Sequence, residues 1–320
     1  MDLKKEKILV TGSTGFVGKN LVDKLKLMNC NIIETGNLRS NNIINKYDLT
    51  KQRDVFNVFE RENPTILIHL AAKVGGIYAN STNKAEFYLQ NTLINTNILK
   101  EVQERKLKYV FAMGTGCAYP KRLEGQELFE EDFLNGIPES TNDAYAYSKR
   151  NMLVHLKAIK ESNPDFKYHY CIPANIYGSY DNFDLMNSHV VPALIRKFIE
   201  AKVNNNPTVE IWGDGNAKRD FLYIDDLINA MINIIENDNS YGSINVATNY
   251  LIKINILAKI IKEIVEYDGE IVYNPLYPNG QISRQFNIRK ISNMDWKAVV
   301  SLKEGLMKTI EWYKVTFNIR

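Results

Sequence analysis

Tyr145 and Lys149 stand four residues apart in the segment Asp143-Ala144-Tyr145-Ala146-Tyr147-Ser148-Lys149. On a helix that spacing puts both side chains on one face. An ammonium beside a phenol favours the phenolate and is expected to draw its pKa down from about 10 toward the range of a working proton donor. The chemistry this pair predicts is proton delivery to an oxygen. Tyr47 and Lys51 repeat the spacing, but in a polar connector near the second predicted strand. Tyr145 instead follows, by about 30 residues, a strand ending at Met113 whose turn carries a hydroxyl, Thr115. The carboxyl end of a strand is where parallel sheets bind ligands, so the second placement is the one that predicts a site.

A second set of residues suits a phosphate. Gly12, Gly15 and Gly18, in Thr11-Gly12-Ser13-Thr14-Gly15-Phe16-Val17-Gly18, form a GxxGxxG turn between an apolar run, Lys7 to Thr11, and residues at helical spacing, Phe16, Val17, Leu21 and Leu25. Glycine lets backbone turn sharply and approach a pyrophosphate, and the helix N-terminus supplies free amides and a positive dipole end. Residues 12 to 18 are therefore predicted to bind a dinucleotide, with Asp48, Leu49, Leu70, Ala71 and Ala72 lining the rest of its path. Two residues point to different cofactors. Glu34, 22 residues after Gly12, suits a ribose hydroxyl and so NAD(H), whereas Arg39 suits a 2′-phosphate and so NADP(H).

These residues need elements to hold them. Candidate strands Lys7 to Thr11, Asn31 to Glu34, Ile66 to Leu70, Tyr109 to Met113 and Tyr168 to Ile172 are separated by segments long enough for crossover helices. The expected fold is α/β, a Rossmann-type doubly wound parallel sheet. After about Pro173 loops rich in Asn, Gly, Tyr and Pro alternate with shorter helical stretches such as Val191 to Ala201. This predicts a dinucleotide-binding domain over 1–170 and a smaller C-terminal α/β substrate-binding lobe over 171–320, with interleaved segments.

Composition narrows the function classes. The 320 residues carry 40 Lys and Arg against 37 Asp and Glu, a net charge of +3 spread along the chain, so no basic arm for nucleic acid is expected. No apolar stretch approaches the ~18 residues of a membrane span. Cys30, Cys117 and Cys171 are odd in number and lack CxxC spacing, and His69, His155, His169 and His189 lack ligand spacing, which predicts no disulfide framework and no metal. A cytoplasmic enzyme is expected.

The glycine turn, Thr115 and Tyr145-x-x-x-Lys149 together resemble the extended short-chain dehydrogenases/reductases that act on nucleotide sugars. More narrowly the chain resembles the GDP-L-fucose synthase family along nearly its whole length. The specific marks are Ala71-Ala72-Lys73-Val74-Gly75-Gly76-Ile77, Gly116-Cys117-Ala118-Tyr119-Pro120-Lys121, Asn175-Ile176-Tyr177-Gly178, Asp181-Asn182-Phe183, Asn187-Ser188-His189-Val190 and Trp212-Gly213-Asp214-Gly215. The resemblance implies NADPH-dependent reduction of the C4 ketone of a GDP-4-keto-6-deoxy sugar, with inversion at C3 and C5, in nucleotide-sugar biosynthesis by a homodimer paired through two long helices. It makes Tyr145 the acid at the C4 oxygen, Lys149 its tuning partner and a ribose ligand, and Thr115 the group that holds the ketone. It makes Cys117 and His189 the base and acid at the flanking carbons, with His189 also near the cofactor. Asn175, Lys197, Trp212, Arg219 and Arg284 become nucleotide-sugar contacts.

Five positions depart from the family pattern. Thr115 replaces a serine, Gly116 replaces another and is expected to open space, Lys197 replaces an arginine, Asn287 replaces a carboxylate, and Ser13-Thr14 lacks an arginine at the 2′-phosphate. These changes leave the sugar open between a hexose and a heptose, and a reductase without epimerisation remains an alternative. Tyr145→Phe should lower reduction by roughly 10²- to 10⁴-fold while leaving dinucleotide binding nearly intact. Steady-state rates and a cofactor titration on the variant check this, and near-wild-type turnover would redirect attention to Tyr47 and Lys51.

Overall fold

The computed structural model describes residues 1–36, 46–237, 241–277 and 281–319. The chain opens with β1 (Lys7–Thr11), α1 (Phe16–Leu27), β2 (Asn31–Thr35), α2 (Gln52–Glu62), β3 (Ile66–His69), α3 (Ile77–Thr82), α4 (Lys84–Glu104) and β4 (Tyr109–Met113). It continues through β5 (Glu127–Leu128), α5 (Asp143–Ser162), β6 (Lys167–Pro173), β7 (Asn175–Tyr177), α6 (Val190–Val203), β8 (Thr208–Trp212), β9 (Lys218–Tyr223), α7 (Ile224–Asn237) and β10 (Gly242–Val246). The last elements are β11 (Leu251–Lys253), α8 (Ile254–Val265), β12 (Glu270–Asn274), β13 (Gln285–Phe286), α9 (Arg289–Ser292) and α10 (Leu302–Thr316).

Six of the strands form one parallel sheet in the order β10-β6-β4-β3-β1-β2. Every residue of β3 and β4 is buried, as are all but the first of β1 and β6, because helices cover both faces; continuous apolar runs are what such strands require. The winding direction reverses at β1, which has β2 on one side and β3 on the other, and a crevice at the carboxyl ends follows from that reversal. Leu21, Val22 and Leu25 seat α1 on the sheet, while Ala146, Met152, Leu153, Leu156 and Ile159 seat α5. Later in the chain β10 returns to this sheet and pairs with β6.

The remaining strands form three smaller sheets. β11, β9 and β7 form a three-stranded sheet, and β12 pairs with β8. The smallest pairing, β13 with β5, brings Gln285 against Glu127 and Phe286 against Leu128. Among the described residues no helix is long and apolar enough to cross a membrane.

The glycine turn is held by close backbone packing. Gly12 has φ +71°, and a Cβ there would lie 2.8 Å from the Ala71 backbone after β3. A Cβ at Gly18 would overlap the Gly12 carbonyl oxygen and sit 2.8 Å from the Ser13 Cα, with only backbone in its way. Gly18→Ala should therefore destabilise the fold by about 1–3 kcal/mol, the usual cost of overpacking a filled site. The urea unfolding midpoint reads this, and an unchanged midpoint would mean that α1 can slide away from the turn without cost.

Candidate active site

Tyr145 and Lys149 lie on the buried face of α5, as an i,i+4 pair must, at 8 % and 2 % exposure. The Lys149 Nζ donates to the Met113 carbonyl at the end of β4, 2.8 Å away, and sits 5.9 Å from the centre of the Tyr145 ring. The helix is fastened there by Ser148 Oγ donating to the Tyr145 carbonyl at 2.7 Å and Tyr170 Oη donating to the Lys149 carbonyl at 2.9 Å. Burial draws the ammonium down to about 8. Burial also pushes the Tyr145 phenol well above its ordinary value, and the nearby Cys117 pushes the same way. This corrects the expectation of a lowered phenol: the ammonium is tied to a carbonyl, and loss of water around the ring outweighs it.

Thr115 caps the short turn that follows β4, its Oγ1 accepting from the Cys117 amide at 3.3 Å. That bond holds Cys117 beside Arg284, whose Nη1 donates to the sulfur at 3.2 Å across 167 residues of sequence. Burial is the largest influence on the thiol and acts to raise its pKa. Arg284's charge and hydrogen bond, the hydrogen bond with Thr115 and the charge of Arg219 outweigh it, so the thiol lies below its ordinary value. Arg219 is 6 % exposed on β9, its Nη1 donating to the Lys218 carbonyl at 2.7 Å. Burial and then the like charge of Arg284 bring it down to about 9. His189, the residue preceding α6, is solvent-accessible, yet the protein atoms crowding its ring and then the charge of Arg284 hold the imidazole below its usual value.

The phosphate turn fits a dinucleotide. Gly15 begins α1 with no side chain capping it, and Thr14 and Gly15 are exposed, so first-turn amides face an anion's approach. Ser13 instead turns inward, its Oγ donating to the Thr35 carbonyl at 3.0 Å. Phe16 and Val17 pack against the core, and Leu70 and Ala71 donate their amides to Thr11 Oγ1 at 3.2 and 3.3 Å. Ala72 follows directly and is half-buried. Asp48 accepts from the Thr50 hydroxyl at 2.6 Å and amide at 3.1 Å, with Leu49 beside it packed on the core. Glu34 is paired with Lys26 at 2.5 Å, and Arg39 lies outside the described residues.

Other expected contacts are dispersed or already engaged. Asn175 begins β7 and is half-buried. Lys197 donates to the Glu210 carbonyl at 2.9 Å and lies 5.2 Å from the centre of the Trp212 ring. Tyr277 stacks on that ring at 4.3 Å between centres and 9° between planes, a partner that sequence spacing did not disclose. At Gly116 the expected open space is absent: a Cβ would come within 2.5 Å of the Phe286 ring, which β13 brings there. Asn287 is tied to Glu127 at 3.0 Å. Tyr47 and Lys51 share no helix, for Lys51 is the residue before α2 and Tyr47 bridges back to Gly36.

His69 was singled out only as lacking metal spacing, yet it lies at the centre of a buried chain. Its Nδ1 is 2.7 Å from Thr11 Oγ1 and its Nε2 is 3.1 Å from Asn95 Oδ1, while Asn95 Nδ2 donates to the Ser148 carbonyl at 3.2 Å. Asn95 has spent its donor on Ser148, so it accepts from Nε2–H, and Thr11 donates to Nδ1. The chain thus assigns the neutral Nε2–H tautomer. It runs from β1 beside the phosphate turn to the residue preceding Lys149. An i+4 relation between Asn91 and Asn95 on α4 was the available signal, but nothing local marks its partner.

Comparisons with known proteins show the family of the chain. Residues 8–247 match the NAD dependent epimerase/dehydratase family. GDP-L-fucose synthase 1 of Arabidopsis thaliana is 35% identical over 317 residues, covering 98% of this chain and 94% of its own. The chain belongs to the GDP-L-fucose synthase family within that larger one. A solved structure of a GDP-6-OMe-4-keto-L-xylo-heptose reductase from C. jejuni is similar with TM-score 0.88 and 27% identity, covering 99% of both chains. A GDP-L-fucose synthetase of Naegleria fowleri bound to NADP is similar with TM-score 0.87 and 26% identity, covering 98% of this chain and 94% of that one. The chain is thus an enzyme of a family that works with a nicotinamide dinucleotide.

The tautomer at His69 generates a pH test. Burial, and then the charge of Lys149, bring the imidazole down to about 4, the Asn95 bond acting weakly against them. An unfolded histidine protonates near 6.5, so the stability from a neutral His69 is complete above that pH and is lost as pH falls from 6.5 toward 4. The loss amounts to about 3 kcal/mol for a shift of that size. His69→Gln should flatten this part of the profile, read by urea unfolding at pH 7, 5.5 and 4.5. Parallel profiles for the two proteins would show that His69 takes up its proton in the fold at the same pH as in the unfolded chain.

Proposed function

We propose that the protein reduces the C4 ketone of a GDP-4-keto-6-deoxy sugar, hexose or heptose, with NADPH, and exchanges the protons on the carbons beside that ketone. The observation that carries the reading is the single turn after β4. It presents Thr115 and an acidified Cys117 beside the α5 face that carries Tyr145 and Lys149. The relative named as a GDP-L-fucose synthase, the heptose reductase and the NADP-bound synthetase support the substrate class and the form of the cofactor.

In this mechanism residues 12 to 18 hold the dinucleotide's pyrophosphate, and Lys149 and Tyr145 hold its ribose. When bound, the reduced nicotinamide supplies the hydride for C4. Tyr145 gives its proton to the C4 oxygen, and its raised pKa keeps that proton in place until negative charge develops there. Thr115 donates a second hydrogen bond to the same oxygen. For exchange, the Cys117 sulfur takes a proton from the carbon beside the ketone. The C–H electron pair moves onto the C4 oxygen, where Tyr145 and Thr115 stabilise it. His189, held neutral, serves the opposite face by accepting or returning a proton. Asn175, Lys197, Trp212 and Arg219 are assigned to the nucleotide-sugar side, and all four lie in the proposed lobe over 171–320. The buried positive charge of Arg219 suits a diphosphate.

A second reading, a reductase without epimerisation acting on a GDP-4-keto-heptose for a bacterial surface polysaccharide, is supported by the likeness to a solved heptose reductase. We also propose a cytoplasmic homodimer paired through α4 and α5, which leave Leu89, Leu93 and Val154 exposed.

The deciding experiment incubates the enzyme with GDP-4-keto sugars in D₂O and follows the products by mass spectrometry and NMR. Deuterium should enter C3 or C5 with oxidised cofactor present, and Cys117→Ser should slow that entry, since a hydroxyl is far less acidic than a thiol of pKa ~8.5. Reduction should run roughly ten- to hundredfold better with NADPH than NADH, the value of a charge-assisted bond from Arg39 to the 2′-phosphate. Reduction without deuterium entry selects the second reading. Reduction of none of the panel overturns both.

A further inference from the structure

We propose that Arg284 is the residue that activates Cys117, pairing with its sulfur as a thiolate rather than contacting the sugar nucleotide. The inference deepens the reading of Cys117 as the proton acceptor and rests on it, but the pairing is tested without any sugar.

Arg284 is 9 % exposed, and its fork is already committed. Nε donates to Gln281 Oε1 and Nη1 to Cys117 Sγ at 3.2 Å. Among the described residues no carboxylate is within ion-pair distance of its guanidinium, so the sulfur is the anion available to it. A cation withdrawn from water without a counter-charge is costly, and a thiolate at hydrogen-bond distance removes that cost. The groups facing the sulfur point the same way. Arg219 on β9 adds a second positive charge, Thr115 adds a hydroxyl, and Tyr145 on α5 is a neutral phenol at working pH. A carboxylate that reaches this cluster, Glu124, acts on Arg219, and its Oε1 accepts from the Ile282 amide.

The position of Arg284 is built in. It immediately precedes β13, whose pairing with β5 fixes Gln285 and Phe286, and the Phe286 ring closes the space at Gly116 next to the cysteine. The β13–β5 pairing on one side and the Thr115–Cys117 bond on the other place guanidinium and sulfur at hydrogen-bond distance. The same charge reaches His189 and disfavours imidazolium. Arg284 thereby acts on both candidate proton acceptors in the same direction, at His189 as an addition to burial. The usual sign of a catalytic thiolate is a cation or helix N-terminus beside it, and here the cation comes from a remote segment.

The test is alkylation of the full-length protein by iodoacetamide across pH. The sulfur attacks the reagent's methylene carbon, a C–S bond forms, the C–I bond breaks and iodide leaves with its electron pair. Mass spectrometry reads each cysteine separately, so Cys30 and Cys171, both raised by burial, serve as references within each sample. Cys117 should titrate with a midpoint below the ~8.5 of a free thiol. Arg284→Met should raise that midpoint by at least one pH unit, about a tenfold slower reaction at pH 7. Arg284→Lys, which keeps the charge and loses the fork, should fall between the two and carries the test if the methionine variant does not fold. A midpoint unchanged in both variants, or a wild-type midpoint at 8.5 or above, overturns the proposal. A raised midpoint upholds it. If the wild type then shows no deuterium entry from D₂O, the pairing stands and the role of Cys117 in exchange is what fails.

Discussion

Asn245 is the knot that the site depends on. It is fully buried on β10, the last strand to join the central sheet, and its amide and both polar atoms of its side chain are engaged. Its amide donates to Glu130 Oε1 at 2.9 Å, and its Oδ1 accepts from Tyr119 Oη at 2.7 Å. Its Nδ2 donates to the Leu128 carbonyl at 2.9 Å and the Asn287 carbonyl at 3.0 Å. One side chain thus ties β10 to the turn after β4, to β5 and to the segment after β13. Buried polar groups with all partners satisfied specify a single arrangement, because any other leaves one of them unpaired. The two-stranded β5–β13 pair is too short to hold itself, and Asn245 makes it part of the sheet's frame.

From that frame follows the charge pattern of the crevice. Lys149, Arg219 and Arg284 bring three cationic groups out of water; Lys149 donates to the Met113 carbonyl, Arg284 to the Cys117 sulfur, and the Lys218 carbonyl is among the partners of Arg219. The consequences run in one direction. Lys149 and Arg219 lie below their ordinary values, His69 and His189 are kept neutral, and the Cys117 thiol is drawn down. Phosphate-bearing ligands are the natural complement of such a site.

Two local readings failed for the same reason. A lysine four residues after a tyrosine predicts a lowered phenol only if its attraction for the phenolate exceeds the cost of burying that charge. Here both groups are buried and the ammonium is bound to the Met113 carbonyl, so desolvation decides. A glycine in place of serine predicts free space only if nothing else fills it. At position 116 the ring of Phe286 does, although it lies 170 residues away in the chain. Both errors came from reading a neighbourhood along the sequence when the relevant neighbours were supplied across it.

The sequence by itself determined the doubly wound parallel sheet. Its five candidate strands are observed within one or two residues at each end, because doubly covered strands must be continuous apolar runs and the glycine turn must follow the first. It also determined that Tyr145 and Lys149 share a face, since helical period alone sets that. Only the tertiary structure decided which residues surround them. The Arg284–Cys117 contact, the His69–Asn95–Ser148 chain and the Asn245 knot span 167, 26 and 53, and up to 126 residues. Their members are ordinary residues with no spacing rule to mark them. Their pKa values and tautomers are set by burial and by charges from remote segments, and those quantities exist only once the chain has folded.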